Sequence, residues 1–135
     1  YVIVNFENGA RSLLELCMFA ENSDMQEELV ATGNKGKIET SVPSNDSGKT
    51  SSNIRIGMRD GKTHIENIEV DKKILEAGHH HGSTYYEHLA FLKAIESNSD
   101  PEVSLQDGLI AVAMGEAAEK SIKQGRLINL EEIIN

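Results

Sequence analysis

The sequence predicts an α+β domain: an open, mostly antiparallel β-sheet with helices packed on one face. Three observations predict it. From Tyr1 to Val70 the chain falls into short runs of alternating apolar and polar side chains, the period of strands. Asn8-Gly9 and Asp60-Gly61 each join two such runs, and these dipeptides suit tight hairpin turns. From Gly82 the apolar period becomes helical and stays so through two long segments. Strands first and helices afterwards is an α+β order, not that of a doubly wound nucleotide fold.

Taken in order, Val2, Val4 and Phe6 alternate with Ile3 and Asn5, and a return strand running to Phe19 is expected after the turn. It carries Leu14, Leu16 and Met18 on one side and Leu13, Cys17 and Phe19 on the other, so both faces ask for cover. Cys17 reads as a buried, inert thiol. Glu28–Ala31 and Lys37–Val42 read as strands around a plain turn at Gly33–Gly36, and Pro43–Ser52 as a polar loop. In the second hairpin Ile54, Ile56 and Met58 are in phase. Ile65 and Ile68 are not, which predicts a bulge or bend near Asn67.

Tyr85, Leu89, Leu92 and Ile95, with Phe91, form a helical stripe expected to be mostly core. Thr84-x-x-Glu87, or Ser83 in its place, has the form of a helix cap, and "SNSDP" ends the helix. Ser104-x-x-Asp107 opens a second helix that Gly125 stops. Its stripes are Leu105, Leu109, Val112 and the small residues Ala111, Gly115, Ala118, which suggests a sandwiched helix. The tail "RLINLEEII" is extended or helical.

A length of 135 residues suits one domain. The net charge of -9 argues against nucleic acid or an anionic membrane as a partner, because both need clustered Lys and Arg. No apolar run reaches the length of a membrane span. One cysteine excludes an internal disulfide and suits a reducing cytoplasm. There is no G-x-G-x-x-G and no P-loop. Glu27, Glu28, Glu131 and Glu132 read as solvated charge.

The densest chemistry is "HHHGSTYYEH", His79 to His88. One reading is a loop whose histidines bond carbonyls. Another is a metal site from the His79–His81 cluster with His88 or Glu87, although no H-x-x-x-H spacing supports it. A further reading is a pocket rim, since imidazoles, tyrosine hydroxyls and helix-start N–H groups suit a polyhydroxylated ligand. On that reading His80, His81 and Tyr85 contact substrate.

"HHHGSTYYEHLAFLKAI" and "DPEVSLQDGLIAVAMGEAAEKSIKQGRLINLEE" together resemble the C-terminal part of the Gfo/Idh/MocA family of NAD(P)-dependent oxidoreductases, which includes glucose–fructose oxidoreductase and inositol dehydrogenase. The carriers are Gly82, Ser83, Tyr85, Glu87, His88 and Phe91, then Val103, Ser104, Asp107 and Gly108, then Ala118, Ser121, Ile122, Gly125 and Arg126. "VNFENGARSLLEL" and "ELVATGNKGKIET" are similar to the family's strand–turn–strand pieces.

The resemblance implies that residues 1–135 are a single substrate-binding and oligomerisation domain, a fragment of a larger two-domain enzyme acting on a sugar, polyol or related hydroxy compound. It implies NAD or NADP in the intact enzyme, bound by an N-terminal Rossmann domain absent here, and none bound by this chain. It implies a homodimer or tetramer through the sheet face, the one expected to carry the first hairpin. The family's catalytic lysine and Asp-x-x-x-His pair are expected upstream, so no residue here receives a catalytic, cofactor-binding or metal role and the isolated chain is expected to be inactive. The alternatives are a stand-alone, non-enzymatic dimerisation or ligand-binding module and a metal-binding domain.

Overall fold

The computed structural model describes residues 1–44, 47–77 and 80–134. They form six strands and four helices, and every strand pairing is antiparallel, as expected for the α+β class. The chain divides into two compact units, Ala20–Ser97 and Tyr1–Phe19 with Asn98–Asn135.

The unit Ala20–Ser97 is built on a sheet of β3 (Met25–Gly33), β4 (Gly36–Pro43), β5 (Ser51–Met58) and β6 (Thr63–Glu69), in that spatial order. Gly33 pairs with Gly36 across Asn34-Lys35, so "GNKGK" is the hairpin turn its composition suggests. Arg59 to Lys62 close the second hairpin, with the Met58 amide donating to the Lys62 carbonyl at 2.8 Å. The register sorts the side chains. Leu29, Ala31, Ile38, Val42, Ile54, Ile56, Met58 and Ile68 share one face, and Glu28, Thr32, Lys37, Glu39, Ser41, Asn53 and Arg55 share the other. On the polar face Glu39 accepts from Lys37 at 2.6 Å and from its cross-strand partner Arg55 at 2.8 Å. These two cations hold its carboxyl below the ordinary value.

The bulge expected near Asn67 does not exist. The β5–β6 register runs unbroken from Ser51 opposite Glu69 to Gly57 opposite Thr63, and Ile65 and Ile68 lie on opposite faces. β6 is the outer strand and all seven of its residues are exposed, so neither face requires both isoleucines. The irregularity lies in β3, where the register shifts between Met25 and Glu27.

After β6 comes a short helix the periodicity did not reveal, α1 (Lys72–Ala77). Asp71 starts it: its carbonyl accepts from Ile74 and Leu75, and its carboxylate from the Lys73 amide at 2.8 Å. α2 (Ser83–Ser97) begins at Ser83, so Thr84 lies inside the helix and Thr84-x-x-Glu87 is not its cap. The apolar stripe of α2 is not core in this chain. Phe91, Leu92 and Ile95 are exposed, and the small Ala94 is the buried residue.

The other unit holds the hairpin β1 (Val2–Asn5) and β2 (Arg11–Leu14) with α3 (Leu105–Gln124) and α4 (Glu131–Ile134). The Phe6 amide donates to the Ala10 carbonyl and the Asn8 side chain accepts from the Ala10 amide, closing the turn. The return strand stops at Leu14, short of the expected Phe19, because its partner strand ends at Val2. Cys17 therefore lies outside any strand and is exposed, not buried. On α3, Leu105 and Val112 are exposed and Ala113 is the buried position; of the small stripe only Ala118 is partly covered. Periodicity identifies side chains that share a face. It does not identify what covers them.

The ends of α3 agree with expectation. The Ser104 side chain accepts from the Asp107 amide at 3.1 Å, and Asp107 accepts in return from the Ser104 amide at 2.9 Å. The Gly125 amide donates to the Ser121 carbonyl at the far end. Glu132, expected to be solvated, instead joins α4 to the end of α3. It takes two bonds from Arg126, at 3.0 and 2.7 Å, and one from the Asn129 amide.

Candidate functional site

His80, His81 and Gly82 form a turn between α1 and α2 in which all three residues are left-handed, with φ of 55°, 54° and 87°. The two histidines pay a steric cost that glycine does not. Gly82 is buried, and a Cβ there would sit 2.9 Å from Ile74 Cγ2 and 3.1 Å from Val70 Cγ1. Only glycine satisfies both the dihedral and the space. The turn is thereby pressed onto Val70 and Ile74.

His80 reaches back to β3. Its Nδ1 lies 2.7 Å from Glu27 Oε1 and 3.1 Å from Gln26 Nε2. Both partners precede it by more than fifty residues, and both sit at the register shift in β3. Consecutive strand residues ordinarily face opposite ways. A bulge sets two residues against one, here Gln26 and Glu27 against Val42, and lets neighbouring side chains meet one imidazole. Glu27 is thus a partner of His80, not merely solvated charge.

His81 is partly covered, and its Nε2 is buried with no hydrogen-bond partner. Such a group in a native fold calls for an explanation. Tyr85 lies within the first turn of α2 and is 41% exposed. Its ring meets Tyr86 edge-on, with centroids 5.6 Å apart. The structure therefore places His80 and His81 on one strained turn with Tyr85 just beyond it. Among the described residues no recorded hydrogen bond links Tyr85 to either histidine. His88 donates from Nδ1 to the Thr84 carbonyl at 2.7 Å, so that nitrogen serves the helix.

His79 lies outside the described residues. Among the described residues no three His, Cys, Asp or Glu side chains are grouped as a metal ion would require. Asp60 and His64 also have an Asp-x-x-x-His spacing. Asp60 sits in the hairpin turn, paired with Lys62 at 2.9 Å, while His64 lies on β6 opposite Ile56.

A cleft of about 1020 Å³ opens in the other unit between β1 and the helices α3 and α4. Its lining is dominated by aliphatic side chains such as Val2, Val4, Ile110, Met114, Leu127 and Leu130, and includes none of the predicted site residues.

Comparison with known proteins bears on the whole arrangement. Residues 1–130 match the profile of the "Oxidoreductase family, C-terminal alpha/beta domain". A stretch of 52 residues is 42% identical to myo-inositol 2-dehydrogenase of Thermotoga maritima, covering 38% of this chain and 16% of that protein. The chain thus spans only a small part of that relative. With the α+β architecture and the capped α3 that carries much of the motif, the match over residues 1–130 makes this chain a member of the Gfo/Idh/MocA oxidoreductase family, as its C-terminal alpha/beta domain.

Proposed function

We propose that the chain is the substrate-binding and oligomerisation part of an NAD(P)-dependent oxidoreductase that acts on a sugar, polyol or related hydroxy compound. The family match over residues 1–130 is the observation that carries this reading. The similarity to a myo-inositol 2-dehydrogenase supports a polyol as substrate.

The site chemistry is compatible. His80, His81 and Tyr85 offer ring nitrogens and a hydroxyl, groups that both donate to and accept from hydroxyls. The two histidines sit on a turn held by a buried glycine and by β3, with Tyr85 in the first turn of α2, which limits the conformational entropy lost when a ligand binds. A dinucleotide is not fitted by these residues. The glycine pair of Gly33 and Gly36 closes a hairpin and does not open a helix, so the strand–loop–helix unit that cradles a pyrophosphate is not formed there. The cofactor is therefore assigned to another domain of the intact enzyme, and no hydride or proton step is derived from this chain.

The first hairpin forms a separate two-stranded sheet, so the assembly face proposed is that of the four-stranded sheet, where Leu29, Ile38, Met58 and Ile68 are exposed. The cytoplasm is the proposed compartment, in keeping with a single free cysteine.

The test is steady-state kinetics with NAD and NADP against a panel of sugars and polyols that includes myo-inositol. The intact enzyme should turn over at least one of them, the isolated chain none, and Tyr85→Phe in the intact enzyme should raise KM. Turnover by the isolated chain would overturn the division of labour. Failure of the intact enzyme on the whole panel would overturn the substrate class.

A further inference from the structure

We propose that Glu27 is a positioning residue for His80: the β3 bulge aims its carboxylate at Nδ1, fixes the imidazole tautomer, and leaves Nε2 as an acceptor for a ligand hydroxyl. This rests on the reading of His80 as a substrate contact.

In regular alternation Gln26 and Glu27 would point to opposite faces, and one of them alone could meet His80. The register shift between Met25 and Glu27 removes that restriction, and both side chains reach the same nitrogen. An ionised carboxylate has no proton to give. At 2.7 Å from Glu27 Oε1, Nδ1 must therefore carry the hydrogen. The Gln26 amide nitrogen, 3.1 Å away, cannot donate to a nitrogen that has lost its lone pair. The shorter contact to the acceptor-only group decides, and the amide turns its oxygen toward the ring.

In the neutral ring, a proton on Nδ1 leaves Nε2 with its lone pair; only the imidazolium carries a proton on both nitrogens. Among the described residues no hydrogen bond to His80 Nε2 is recorded, and the side chain is half exposed. As the neutral Nδ1–H tautomer, His80 accepts from a hydroxyl at Nε2. It does not donate to a carbonyl, and that favours the alcohol form of a substrate pair over the ketone. The same bond ties the left-handed turn to the sheet, so the strain at His80 and His81 is held by the fold around it.

The experiment is a long-range ¹H–¹⁵N correlation spectrum of the full 135-residue chain, labelled at histidine and recorded above pH ~8, where a free imidazole is neutral. His80→Ala assigns the signal. The expected result is an Nδ1–H tautomer for His80. Glu27→Leu should return His80 to predominantly Nε2–H and leave His64, on the far edge of the sheet, unchanged. An Nε2–H tautomer in the unmutated chain overturns the proposal by itself, so the test does not depend on the variant folding. An Nδ1–H tautomer that survives in Glu27→Leu overturns it as well. Addition of sorbitol or D-glucose separates the two ideas. A shift of His80 Nε2 that is lost in Glu27→Leu supports both. An Nδ1–H tautomer that depends on Glu27, with a His80→Ala variant of the intact enzyme whose KM for myo-inositol, sorbitol and D-glucose is unchanged, keeps the positioning role and removes the ligand contact.

Discussion

Arg126 and Glu132 meet in a two-bond ion pair, Nη1 to Oε1 at 3.0 Å and Nη2 to Oε2 at 2.7 Å. The pair joins the end of α3 to the start of α4, and the Asn129 amide adds a third bond to the same carboxylate. Arg126, then Asn129, pull the Glu132 carboxyl from 4.5 to about 2. A group whose folded value is depressed stabilises fully above its unfolded value and loses that contribution as pH falls through the folded one. The contact should therefore be intact at pH 5 and lost between about 4.5 and about 2. A ¹³C-carboxyl titration should show a Glu132 midpoint near 2, and Arg126→Gln should move it toward 4.5. An unmoved midpoint would mean that Arg126 is not the cause.

Gly82→Ala should destabilise the chain by about 1–3 kcal/mol, the cost of a strained left-handed residue, with the crowding against Ile74 and Val70 added. Urea denaturation measures it. A variant as stable as the parent would show that the turn relaxes to a right-handed form, and the placement of His80 and His81 would fall with it.

Gly115→Ala is the opposite case. Gly115 lies inside α3, and a Cβ there meets nothing within 4 Å. The isolated chain should gain roughly 0.5–1 kcal/mol from the better helix former. If the same variant weakens self-association in sedimentation, the small stripe is a packing surface for a second copy.

Ser104→Ala removes one half of the reciprocal cap on α3. It should cost about 1 kcal/mol in chemical denaturation. The Asp107 carboxyl, held low chiefly by the Ser104 side chain and then by its amide, should rise toward its ordinary value. Stability and titration should move together. A loss of stability with an unmoved Asp107 would point to a broader disturbance of the helix start.

Several features were readable because their signals are contiguous. Asn8-Gly9 and Asp60-Gly61 mark turns, Gly33 and Gly36 flank another, and Ser104 with Asp107 and Gly125 bracket α3. Each is a short-range matter of dihedral preference or of orphaned backbone groups. The register was harder. Ile65 and Ile68 suggested a bulge only on the premise that β6 buries one face, and it buries neither. Cys17 is exposed for a related reason: its apolar neighbours Leu16 and Met18 are themselves exposed, so they confer no burial.

The sequence by itself determined the α+β class, the hairpin turns, both ends of α3, the family motif and the histidine-rich turn as the place to look. These follow from patterns within a few residues. Only the tertiary structure decided that Glu27 is a partner of His80, that the bulge falls at Gln26, that Asp60 and His64 are parted between a turn and a strand, and which apolar faces lie open. The physical reason is separation along the chain. Glu27 and His80 are 53 residues apart, and no local preference specifies the register shift that lets them meet.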